Sequence, residues 1–199
     1  MRILTFDLET RLLASDLSPN RDSGWAALRR GEGGISALVI HDSLTGWVHL
    51  YDDQCLDAAA LHLESGDVVI GFASSTFDIP VIEGVLGRPL NLNLHCDLLE
   101  EISREATSRQ IPRHRGDWTL DSICKRTFGR GKINHGGNVK DLISENRWAE
   151  LFNYCCSDVE LTYALFNFIR ENGGVVTPNR DFMFVTLPDR LSAREEPQC

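Results

Sequence analysis

No stretch of this 199-residue sequence approaches the ~18–20 consecutive apolar residues that a membrane-spanning helix requires. An anchor of that kind is therefore not expected. The opening run, MRILTFDLET, carries one basic side chain and then a carboxylate pair, which is not the pattern of an export signal. The expected compartment is accordingly the reducing cytoplasm. None of the six cysteines (Cys55, Cys96, Cys124, Cys155, Cys156, Cys199) is spaced as C-x-x-C, so neither a zinc ribbon nor a dithiol motif is legible. Most have apolar neighbours and are expected to be small core side chains. Internal repeats and low-complexity segments are also absent. Positive charge is scarce: 20 Lys and Arg stand against 29 Asp and Glu, a net charge of −9. That balance disfavours a polyanion as partner, except locally. Residues 104–132 hold eight basic side chains (Arg104, Arg109, Arg113, Arg115, Lys125, Arg126, Arg130, Lys132) against three acidic ones. Such a segment is either a solvated face or a place to hold phosphates.

What remains is an ordinary globular composition, 42% hydrophobic and 25% charged, of a size suited to one domain. We expect that domain over residues 1–188, with a polar tail over 189–199. Residues 2–8 are β-branched and aromatic and predict a buried strand. The runs 35–41 and 47–51, separated by Asp42-Ser43-Leu44-Thr45-Gly46, predict a hairpin. Helical patterns cover about 25–30, 56–64, 77–86, 97–107, 119–128 and 147–172, with Gly87, Gly129 and Gly173 placed to end three of them. Strands are expected at 67–72 and 92–96, and a final edge strand at 182–187. GRGKINHGGN over 129–138 reads as a glycine-rich loop. A hairpin feeding parallel strands and helices gives an α/β fold with a mixed sheet covered by helices.

Three short segments carry chemistry. Asp7 and Glu9 lie two apart on the first strand, so both carboxylates emerge on one face. Two like charges beside a core are costly unless a cation compensates. The plainer reading is a strand end where both acids reach water. Asp78 stands where a strand gives way to a helix, and by itself reads as an N-cap, with Pro80 in the first turn. Tyr154 and Asp158 are four apart, on one face if their helix is continuous, and Leu161, Leu165 and Phe168 extend that stripe. A helix starting at Ser157, with Glu160 closing a capping box, would make Asp158 a mere helix-end acid.

Taken together, FDLET (Asp7, Glu9), IGFASSTFDIP (Asp78) and YCCSDVELT (Tyr154, Asp158) resemble the three motifs of the DEDD 3′–5′ exonucleases, in their tyrosine-bearing (DEDDy) branch. Leu120-Asp121 through Gly129-x-Gly-Lys132 and His135-Gly136 resemble the segment linking the second and third motifs. The likeness spans about residues 1–172. It implies a ribonuclease-H-like mixed five-stranded sheet with one antiparallel strand, flanked by helices. It also implies two-metal-ion hydrolysis of phosphodiesters at single-stranded DNA or RNA 3′ ends, with Asp7, Glu9, Asp78 and Asp158 as ligands of two Mg2+ or Mn2+ ions. Asp7 would bridge the ions, Glu9 and Asp158 would complete the one nearer the nucleophile, and Asp78 would support the other. Such ions sit about 3.5–4 Å apart and prefer oxygen ligands. Tyr154 would orient the attacking water, since a phenol of pKa ~10 is a poor base at neutral pH. The sequence departs from the family at Ala73, where the second motif usually has an asparagine that helps hold substrate. Trp25 and Trp118 are candidates for stacking on bases. Two other functions remain open: a structure-specific endonuclease on the same fold, and a catalytically silent nucleic-acid-binding module.

Overall fold

The computed structural model describes residues 1–112, 114, 116–132 and 139–192. Its centre is a five-stranded sheet of β1 (Ile3–Thr10), β2 (Ile35–Asp42), β3 (Trp47–Tyr51), β4 (Val68–Gly71) and β5 (His95–Asp97), in the order β3-β2-β1-β4-β5. β2 runs antiparallel to both β1 and β3, while β4 is parallel to β1 and β5 parallel to β4. β2 is thus the single antiparallel strand, as the resemblance implied. The hairpin turn closes at Gly46, whose φ of 73° suits a residue without a Cβ.

Alternation along β1 divides the fold into two layers. Leu4, Phe6 and Leu8 point to one side and pack with Leu38, Ile40 and Val69 under α2 (Arg21–Arg29), α3 (Leu56–Glu64) and α4 (Asp78–Leu86). Ile3, with Val68, Ile70 and Cys96, packs on the other side under α5 (Leu98–Ser108), α6 (Leu120–Phe128) and the long α8 (Trp148–Asn172). Against that second face, Ala37 and Val39 of β2 meet Leu151, Cys155 and Val159 of α8 and Val139 of α7 (Val139–Ser144). Asp7 and Glu9 share the α8 side by the same alternation. A short α1 (Ala14–Leu17) lies between β1 and α2.

The helix ends follow their sequence signals. Asn20 caps α2 through the Ser23 N–H at 3.0 Å, and Thr119 caps α6 through the Ser122 N–H at 3.2 Å. Gly87, Gly129 and Gly173 all adopt the left-handed conformation after α4, α6 and α8. Two expectations need correction. Residues 182–187 do not extend the main sheet: β7 (Phe182–Phe184) pairs antiparallel with β6 (Gly174–Val176) in a separate two-stranded ribbon. The intervening Thr177-Pro178-Asn179-Arg180-Asp181 is a turn, which returns the chain before it can reach β3 or β5. Past 188, α9 (Asp189–Ser192) buries Leu191 in the α8-side core. His135 and Gly136, and the rest of the tail, lie outside the described residues.

Candidate active site

α8 is one continuous helix from Trp148, so Ser157 does not begin it, and Tyr154 and Asp158 stand one turn apart facing β1. Asp7, Glu9 and Asp158 each bring a carboxylate oxygen within 4.8 Å of the others. The pairing of β1 with β2 shifts register between Glu9 and Thr10, a bulge that ends the regular ladder beside this cluster. Asp78 is not an N-cap: Phe77 holds that position and Asp78 opens α4, with its side chain buried. It lies outside the set within 4.8 Å, yet close enough for Asp7 and Glu9 to act on its ionisation.

Asp97, at the end of β5, delivers Asp78 to this position. Its carboxylate accepts the backbone N–H groups of Ala73 and Ser75, each at 2.9 Å, and of Leu99 at 3.0 Å. One buried acid therefore ties the turn after β4 to the start of α5. Ala73 itself has a φ of 63°, an unusual value for a residue with a Cβ that is not asparagine or aspartate.

Burial dominates the electrostatics. It pushes Asp7 from 3.8 up to about 7, with the nearby Asp158 adding to the rise. Glu9 is raised by burial and then by Asp7 and Asp158, and Asp78 by burial and then by Asp7, Glu9 and Asp97. Burial also raises Asp158, although Lys132 opposes it. Tyr154 is pushed up to about 12 by burial and by Asp158. Without cations the cluster therefore resists full ionisation.

Lys132 is the residue that sequence reasoning left out of the site. Its Nζ lies 2.5 Å from Asp158 Oδ2 and 3.2 Å from the Tyr154 hydroxyl, where it donates to both. Its backbone N–H donates to Asp121 Oδ1 at 2.7 Å, which fixes the loop after α6 against that helix. Burial lowers the lysine pKa, but Asp158 more than reverses this and holds it above its ordinary value. A second partner comes from Cys155, whose buried thiol lies 3.3 Å from the Asp7 carbonyl and 3.6 Å from Asp7 Oδ2.

The donor set fits hard divalent cations. It is made of oxygens, one lysine faces the three carboxylates of Asp7, Glu9 and Asp158, and Asp158 Oδ1 is buried with no hydrogen-bond partner among the described residues. An orphaned buried carboxylate oxygen is costly, and an ion would satisfy it. A second cluster, Asp42, His49 and His62, also brings ligand atoms within 4.8 Å. It already contains a cation: the Arg2 guanidinium donates to Asp42 Oδ2 at 2.8 and 3.0 Å and lies 3.1 Å from His62 Nε2.

Among the described residues, most cations of the basic segment are paired within the fold. Arg104 pairs with Glu101, Lys125 with Asp121 and Arg130 with Glu160. Arg126 donates to the Asp117 and Val176 carbonyls. Arg113 and Arg115 lie outside the described residues. Trp118 is also withdrawn from any stacking role, being 6% exposed, with its indole N–H 3.4 Å from the Pro112 carbonyl. Trp25 differs. It is half-buried, edge-on to Phe77 with ring centroids 5.2 Å apart, and lines a cavity of about 620 Å³. Ala73, Thr76, Arg21 and Arg29 share that cavity, one residue from Asp78.

No helix among the described residues is long and apolar enough to cross a membrane. No protein-family model matches the chain, and no curated protein matches it. Among solved structures it is similar to the family B DNA polymerase from the hyperthermophilic archaeon Pyrobaculum calidifontis. The TM-score is 0.62 and the identity 19%, over 84% of this chain and 24% of that one. The chain thus spans about a quarter of that polymerase's length, and at this identity the likeness concerns the fold, an α/β ribonuclease-H-like arrangement.

Proposed function

We propose that the chain is a metal-dependent 3′–5′ exonuclease acting on single-stranded DNA or RNA ends, with Asp7, Glu9, Asp78 and Asp158 as metal ligands and Tyr154 beside them. The observation that carries this reading is the meeting of Asp7, Glu9 and Asp158 within 4.8 Å around a buried Asp158 oxygen that has no partner among the described residues. Sharing a fold with part of a DNA polymerase supports a nucleic-acid substrate. So does the geometry, since the acids lie toward the carboxyl ends of β1 and β4, where open α/β sheets place their ligands.

Bound Mg2+ or Mn2+ supplies an activated water and charge relief at the phosphate. The protein's own groups do the rest. Tyr154, held far from ionisation, donates or accepts a hydrogen bond through its hydroxyl and so orients the water rather than deprotonating it. Lys132 has one N–H left after Asp158 and Tyr154 and can donate it to a non-bridging phosphate oxygen. Cys155 and Asp97 position Asp7 and Asp78 from behind. The cavity beside Asp78 suits a terminal nucleotide, with Trp25 and Phe77 as apolar walls and Arg21 and Arg29, set against the single acid Asp22, for its phosphate. Ala73 leaves that nucleotide without the usual side-chain amide, so stacking and charge carry its binding.

The test is a set of 5′-labelled single-stranded DNA and RNA oligonucleotides, with free or blocked 3′ ends, incubated with Mn2+ or chelator. The parent should shorten free ends stepwise, only with metal, and leave blocked ends intact. Asp7→Ala and Asp158→Asn should abolish this. Cutting of blocked substrate would instead show an endonuclease. Binding without cleavage would show the silent module, for which Ala73 is the supporting feature.

A further inference from the structure

β3 forms one outer edge of the main sheet, and among the described residues no strand pairs with its free side. Soluble proteins protect such edges with charged side chains, proline or bulges. Trp47-Val48-His49-Leu50-Tyr51 contains no Lys, Arg, Asp, Glu or Pro, and its pairing with β2 has no register shift. Apolar side chains are exposed on both faces: Trp47 is 69% exposed on the side shared with the half-buried His49 and Tyr51, and Leu50 52% and Val48 41% on the other.

Backbone alternation shows which groups are unpaired. The Ser43 N–H donates to the Ile3 carbonyl at 2.9 Å, in register with the Leu4–Asp42 pair. Val39 and His41 therefore bond toward β1, and Leu38, Ile40 and Asp42 toward β3. Their partners there are Tyr51, His49 and Trp47. Val48 and Leu50 are left with N–H and C=O directed away from the sheet.

We propose that β3 is a homodimerisation strand, pairing antiparallel with β3 of a second copy about a two-fold axis through His49. The sequence is self-complementary in that register. Val48 of one copy faces Leu50 of the other through a hydrogen-bonded pair, and Trp47 faces Tyr51, an aromatic cross-strand pair. The charges are compatible too. Asp52 and Asp53, which follow the strand, come opposite Gly46 and Thr45 of the other copy, so acidic ends meet an uncharged turn and not each other. With Leu44, 72% exposed beside the strand, the contact would cover on the order of 1,000 Å² in total, the lower bound of a specific interface. The pairing is isologous and closes, as a stable dimer requires. It joins the two sheets into one, with both α8 layers on the same side.

The experiment is light scattering with size exclusion on the full 199-residue chain over a wide concentration series, far-UV circular dichroism confirming the fold of each variant. The parent should reach the dimer mass as concentration rises. The V48K/L50K variant sets lysine opposite lysine and should weaken association about tenfold or more. V48K/L50E sets lysine opposite glutamate in the proposed register and should restore the dimer. His49→Cys should form an interchain disulfide on mild oxidation that the parent, under the same oxidant, does not. A parent that stays monomeric throughout would overturn the proposal. So would a dimer untouched by V48K/L50K, or failure of both V48K/L50E rescue and His49→Cys cross-linking.

Discussion

Replacing Asp7 by asparagine removes one of several crowded negative charges while keeping the size of the side chain, and its effect on stability should reverse the usual sign for a buried polar substitution. Burial and Asp158 raise Asp7 from 3.8 to about 7. The folded chain therefore binds more protons than the unfolded chain between those values, and stability falls as pH rises through that window. The penalty is absent below 3.8 and complete above about 7. Carried by Asp7 alone, it amounts to roughly 4 kcal/mol. The neighbouring carboxyls share the same protons, and asparagine gives up the thiol contact from Cys155. A net gain of about 2–3 kcal/mol at pH 8 follows. Urea denaturation in chelator, followed by circular dichroism, gives the difference directly. Asp7→Asn should exceed the parent at pH 8, and the gap should shrink below about 1 kcal/mol by pH 4, where the parent acid is largely protonated. A variant less stable than the parent at pH 8, or a difference independent of pH, would refute the reasoning.

Three further outcomes follow from the same geometry. Tyr154→Phe removes the hydroxyl but not the ring. It should lower kcat about 10–100-fold while leaving Mn2+ affinity, read by titration calorimetry, unchanged. Lys132→Met deprives Asp158 of its ion pair; in chelator at neutral pH it should cost about 2–3 kcal/mol in denaturation, less than a fully buried pair because the lysine is 27% exposed. Asn tolerates a φ of 63° better than Ala, so Ala73→Asn should raise stability slightly, by about 0.5 kcal/mol, and lower KM for oligonucleotides.

The parts of the site that were readable in the sequence are those governed by local periodicity. Asp7 and Glu9 share a face because strand side chains alternate, and Tyr154 and Asp158 share one because helical neighbours recur every four residues. The hairpin and the three glycine-terminated helices rest on similarly short-range rules. Two local signals pointed to plainer alternatives that the fold does not take, for an identifiable reason. The capping box at Ser157 and Glu160 was a valid start signal within a helix already continuous from Trp148, and tertiary packing of Leu151 and Cys155 against β2 decided the outcome. Asp78 sat at a strand-to-helix junction where capping is the default, but Phe77 takes the cap position and the Ile79 N–H donates to the Ser74 carbonyl at 2.9 Å, with no side chain capping the helix.

Long-range placement was not legible. Lys132 looked like one of eight basic residues in a charged segment. The one hint was its position directly after Gly131, since a Cβ at 131 would lie 2.5 Å from Asp121 Oδ1 and so bar the close approach that turns Lys132 toward Tyr154. Arg104, Lys125, Arg126 and Arg130 of that segment had partners of their own, which net charge along a chain cannot reveal. The ribbon of β6 and β7 was missed because Gly174–Val176 is too short to announce a strand without its partner.

The proposed activity is metal-dependent hydrolysis of a phosphodiester bond at a 3′ end, with Asp7, Glu9, Asp78 and Asp158 as the residues that would hold the cations. Its most direct test is the single-turnover rate at which the 3′-terminal nucleotide is lost from a single-stranded oligonucleotide, measured against Mn2+ concentration for the parent and for Asp7→Asn. The rate should be nil in chelator, rise to saturation with Mn2+, and be lower by about a thousandfold or more in the variant. Cleavage that persists in chelator, or an Asp7→Asn protein as fast as the parent, would contradict it.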